Sequence, residues 1–182
     1  MRSYLFFIFY CLFILTACQR ENHPQPLSEE DFSISYMNKQ INETILPKID
    51  SLLGISNEDV ENNYGLVSQG PENGYSRWNL HYPSRTNTEI QITIMGDGHN
   101  PLEGDYIAGL QLYTISTARG VKVGDSSEDL INVYGKPSEK TDNKLTYLKG
   151  TKKLIFELDN KTISGITIDY EFERAEKDQG FK

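Results

Sequence analysis

A serine beside an acid invites a reading as a hydrolytic nucleophile, and Gly124-Asp125-Ser126-Ser127 is such a block. That chemistry needs a histidine base downstream, whereas His23, His81 and His99 all precede it. Asp97-Gly98-His99-Asn100 with Glu103 and Asp105 gathers oxygen donors in a glycine-rich loop. Calcium takes such donors, but their spacing is not that of an EF-hand loop, and a solvated acidic hairpin loop accounts for the same residues. Cys11 and Cys18 are the two cysteines, so the chain beyond residue 18 has neither a disulfide scaffold nor a cysteine-based zinc site. We therefore expect no catalytic residues, no metal and no cofactor. A metal-dependent enzyme acting through residues 97–105 stands as the alternative.

Cys18 has chemistry of another kind. One positive charge at Arg2 precedes an apolar run from Tyr4 to Leu15, and Thr16-Ala17 puts small residues before the cysteine. This is the order of a secretory signal. The run is shorter than the roughly 20 apolar residues that cross a bilayer comfortably. Leu15-Thr16-Ala17-Cys18 resembles the lipobox of bacterial lipoproteins. The resemblance implies removal of residues 1–17, a diacylglycerol on the Cys18 sulfur and a place on the extracytoplasmic face of a membrane. One acyl chain anchors only marginally; two or more hold stably. Gln19 follows, rather than the Asp that resembles an inner-membrane retention signal.

Charge narrows the partners. The chain has 18 Lys and Arg against 26 Asp and Glu, a formal charge of −8. Losing residues 1–17 removes only Arg2, which leaves 17 against 26, or −9. Binding a polyanion draws on clustered cations, so no nucleic-acid partner is expected.

From Cys18 to Asp31 the chain is polar, with Pro24 and Pro26, and reads as a flexible tether; residues 173–182 read as a frayed tail. Between them Ser56-Asn57-Glu58-Asp59-Val60-Glu61-Asn62-Asn63-Tyr64-Gly65 matches Ser126-Ser127-Glu128-Asp129-Leu130-Ile131-Asn132-Val133-Tyr134-Gly135. Each copy predicts a two-turn helix, with a serine cap, acids in the first turn, an apolar i, i+4 pair and a glycine stop. Ile107-Ala108-Gly109-Leu110-Gln111-Leu112 likewise matches Ile163-Ser164-Gly165-Ile166-Thr167-Ile168. Alternation then predicts strands: Trp78, Leu80 and Tyr82; Ile90, Ile92 and Ile94; Leu110 and Leu112; and in the second half Leu145 and Tyr147, Leu154 to Leu158, and Ile166 to Tyr170. The expected fold is α+β, with two tandem repeats of a short helix plus a three-stranded antiparallel meander over 32–118 and 119–172, and the helices on one face of the sheet.

Gly120-Val121-Lys122-Val123-Gly124-Asp125-Ser126, closing in Tyr134-Gly135-Lys136-Pro137, resembles the helix signature of a group that includes the β-lactamase inhibitory protein and small outer-membrane-assembly lipoproteins. The resemblance implies tandem helix-plus-meander units that act by binding other proteins. The first copy departs from the signature, with Gly54-Ile55 for the Gly-Asp lead and Leu66-Val67 for Lys-Pro.

The residues alternating with the apolar ones mark the face left open for binding. They are Arg77, Asn79, His81, Gln91, Thr93, Gln111 and Tyr113. Trp78 points to the opposite side, as core. The functional expectation is a lipid-anchored, non-enzymatic envelope lipoprotein that binds a protein partner through that face; a purely structural lipoprotein is a further alternative.

Overall fold

A computed structural model of the chain describes residues 24–43, 64–69, 76–96 and 106–170. The 3-10 turn η1 (Glu29–Phe32) leads into a hairpin of β1 (Ile34–Tyr36) and β2 (Lys39–Ile41). Then come β3 (Tyr64–Gln69), β4 (Ser76–Pro83), β5 (Thr88–Gly96) and β6 (Tyr106–Leu112), followed by helix α1 (Ser127–Tyr134). The chain ends its described part with β7 (Glu139–Thr141), β8 (Lys144–Lys149), β9 (Lys152–Asp159) and β10 (Thr162–Asp169).

Eight strands form one antiparallel sheet in the order β3-β4-β5-β6-β10-β9-β8-β7. It consists of two four-stranded meanders whose last strands meet in the middle. Alternation explains the ladders. Tyr82, Ile90, Leu112, Ile166, Phe156 and Leu145 are paired in one row across six strands, and Leu80, Ile92, Leu110, Ile168, Leu154 and Tyr147 in the next. All but Tyr82 are buried, and Tyr82 packs on the core from its margin. Each such burial stabilises the fold by about 1.5–3 kcal/mol.

The apolar face is covered by α1, η1 and the β1–β2 hairpin. Ser126 caps α1 by accepting from the Asp129 N–H at 3.0 Å, while its hydroxyl donates to Asp129 Oδ2 at 2.7 Å. Leu130 and Tyr134 are the buried residues of the helix. Tyr134 packs on Tyr147 and Phe156, with ring centroids 5.4 and 5.6 Å away. Gly135 ends the helix at φ +80°, where a side chain would be strained. From the hairpin side come Phe32, Ile34, Tyr36 and Ile41, all buried. The Tyr170 hydroxyl donates to the Phe32 carbonyl and ties the last strand to this cover.

Two expectations are corrected here. Among the described residues the helix-plus-meander unit does not occur twice. Among the described residues there is one α-helix, and the Tyr64-Gly65 that should close a first helix instead opens β3, with Gly65 paired to Asn79. Residues 56–63 lie outside the described residues. Register makes the difference concrete. Tyr64 joins the row through Leu80, Ile92 and Leu110, while Lys140 joins the equivalent row through Leu145, Phe156 and Ile166. Tyr64 therefore corresponds to Lys140, and not to Tyr134. The flanks supply the cause: Leu66-Val67 continues the first copy as an apolar extended run, whereas Pro137 lacks the N–H a strand needs. The sheet is thus two four-stranded meanders with one described helix.

The tether expected over 18–31 is docked from Pro24 onward. Ser28 begins η1 in a capping box, its backbone N–H donating to Asp31 Oδ2 at 2.7 Å. Asp31 is 2% exposed and accepts two bonds from one edge of the Arg119 guanidinium, Nε to Oδ1 at 2.6 Å and Nη2 to Oδ2 at 2.7 Å. The remaining Arg119 donors reach the Gln25, Pro26 and Val133 carbonyls. The guanidinium also lies over the Tyr134 ring, 4.8 Å from its centroid. Hydrogen bonding to Asp31 raises the Arg119 pKa still further.

Candidate binding face

Residues paired across antiparallel strands share a face, so the side opposite the core can be followed strand by strand. One row runs His81, Gln91, Gln111, Thr167, Ile155, Thr146 and Glu139. The next runs Asn79, Thr93, Gly109, Asp169, Lys153 and Leu148. Arg77 pairs with Met95 in a third. The expected residues of the first half therefore lie together. The second half adds Thr167, Ile155 and Thr146, because β10 is laid beside β6.

The rows knit themselves. The Thr93 hydroxyl donates to Asn79 Oδ1 at 3.1 Å, and Thr93 is buried on this face. Tyr113 follows β6 and is 39% exposed, with its hydroxyl 3.2 Å from Gln111 Oε1 and 3.5 Å from Gln91 Oε1. Asn79, His81, Gln91, Gln111, Ile155 and Thr167 are half-buried. Gly109 is required at the seam, since a Cβ there would lie 2.9 Å from the Ile168 carbonyl oxygen of β10. Gln111 and Thr167 hold equivalent places in the two matched segments and are paired with each other, so the local two-fold of the sheet passes between them.

Chemically this surface offers amides, hydroxyls and one imidazole along its central row, with Arg77, Lys153, Asp169 and Glu139 as its charged groups. His81 Nδ1 lies 3.3 Å from Thr88 Oγ1, but that hydroxyl donates to the Ser84 carbonyl at 3.0 Å. It therefore presents a lone pair to the ring rather than a proton to be abstracted. Burial lowers the His81 pKa, and the Arg85 charge lowers it further. Such a face can form hydrogen bonds and offers apolar contact at Tyr113 and Ile155.

The acidic loop from Asp97 to Asp105, Cys18 and the apolar run before it lie outside the described residues. Among the described residues, no three His, Cys, Asp or Glu side chains gather as a metal would need. No helix among them is long and apolar enough to cross a membrane. Asp31 and Arg119 form the charged site that sequence reasoning missed. One signal was present: Ser28-Glu29-Glu30-Asp31 has the same Ser-x-x-Asp spacing as Ser126 to Asp129.

No family model, curated protein or solved structure matches the chain.

Proposed function

We propose that this protein is a lipoprotein anchored through Cys18 on the extracytoplasmic face of a membrane, and that it binds a protein partner through the open face of its sheet without catalysing a reaction. The observation that carries the reading is the polar ladder His81-Gln91-Gln111-Thr167-Ile155, edged by the exposed Tyr113 and uncovered among the described residues. Half-buried amides and hydroxyls stay hydrated alone and exchange water for a partner's backbone groups. Tyr113 and Ile155 supply the apolar contact that a polar face otherwise lacks. The lipobox at Leu15 to Cys18 supports the anchoring.

Site-specific photo-crosslinking in the native envelope tests the binding half. A photoreactive group at Gln111 should give a discrete protein adduct, and the same group at exposed Glu128 on α1 should not. Adducts from Glu128 alone, or equal patterns from both, would remove the open face as the site. Within this face, Tyr113→Ala with Gln111→Ala should weaken the captured interaction at least about tenfold, with the melting temperature nearly unchanged.

A further inference from the structure

The docked N-terminal strap also determines how the domain sits on its membrane, an inference that rests on the anchoring proposed above. We propose that the Asp31–Arg119 clamp holds the domain with the C-terminal pole of α1 against the phospholipid surface that carries Cys18, and with the open sheet face turned away.

Three observations lead there. The strap is fixed almost to its start: Arg119 grips the carbonyls of Gln25 and Pro26 as well as the Asp31 carboxylate. Pro24 itself rests on the helix end, where a Cβ on Gly135 would come within 3.1 Å of it. The chain from Cys18 to Pro24 is six steps long and can span at most about 20 Å. Were the clamp absent and the chain free to Phe32, the same measure would be about 45 Å.

The second observation is position. Leu27 and α1 pack on the core side of the sheet, opposite the His81-to-Thr146 row. A strap emerging on that side brings the helix end to the bilayer and leaves the polar ladder pointing outward. The third is charge. The mature chain stands at −9, yet the cleft beside Pro24, lined also by Gln25, Gly135, Lys136 and Ser138, contains no acidic side chain and one lysine. Of the strap's described acids, Asp31 is paired with Arg119 and Glu29 with Lys152, while Glu30 is exposed in the neighbouring cleft. An acidic protein so tethered meets a phospholipid surface with a part that the surface does not repel.

Energy transfer on the lipidated full chain decides this. A donor fluorophore is attached at Asn132→Cys, on the helix beside Pro24, or at Thr167→Cys on the open face. Vesicles of phosphatidylethanolamine and phosphatidylglycerol carry the acceptor on their headgroups. Acylation leaves Cys18 without a free thiol, so each variant has one labelling site. Transfer from position 132 should exceed that from position 167 by at least about twofold, given a strap no longer than about 20 Å. Arg119→Ala should shrink the difference towards parity. Equal transfer from both positions in vesicle-bound wild-type protein overturns the docking and leaves the anchoring intact. Protein that lacks acyl groups by mass and stays off the vesicles overturns both.

Discussion

The Ser126 hydroxyl accepts one of the four N–H groups that open any helix, so its loss leaves that donor to water. Ser126→Ala should therefore lower unfolding stability by about 1 kcal/mol. Tyr134 is 5% exposed and touches Tyr147, Phe156 and the Arg119 guanidinium. Tyr134→Ala should cost roughly 3 kcal/mol or more by opening a cavity. Chemical denaturation of the two variants separates the effects, and equal small losses would show that α1 is not a capped, packed helix. His81 gives a pH signature. Burial depresses its folded pKa, so the unfolded chain binds more protons as pH falls through the ordinary histidine range. The stability conferred by a neutral His81 is complete above that range and declines as pH drops towards the folded value. Denaturation at pH 7 and pH 5 should show a slope that His81→Gln reduces.

At the scale of elements, the strand faces were legible because period-two alternation is a local signal. Leu80, Ile92, Leu110, Phe156 and Ile168 are buried where their spacing placed them, and Gln91 and Gln111 are paired on the other side. What could not be read was neighbour order: nothing in the sequence says that β6 lies beside β10, so Thr167, Ile155 and Thr146 were missed from the face. The decamer repeat misled for a related reason. The same Tyr-Gly ends a helix before Lys136-Pro137 and starts a strand before Leu66-Val67, where pairing with Leu80 and Asn79 takes up Tyr64 and Gly65. The strap was illegible because its clamp joins residues 88 apart. That clamp makes an element-scale prediction. Arg119→Met alone should destabilise by about 3 kcal/mol, since it strands a buried carboxylate, while adding Asp31→Leu should recover much of the loss. Additive losses in the double variant would show that the two residues are not coupled.

At the scale of the molecule, the proposed anchoring would keep an acidic domain near a surface without drawing it there along its whole length. Its formal charge of −8, or −9 without residues 1–17, would leave binding to a shaped, mostly neutral ladder rather than to an electrostatic field. The mass and identity of the N-terminus in protein extracted from membranes decide whether the module is lipid-anchored. The expected mature chain begins at Cys18, lacks residues 1–17, and bears a diacylglycerol-sized addition that disappears in Cys18→Ser along with membrane fractionation. A chain that retains the leader, or starts elsewhere with Cys18 unmodified, would contradict it.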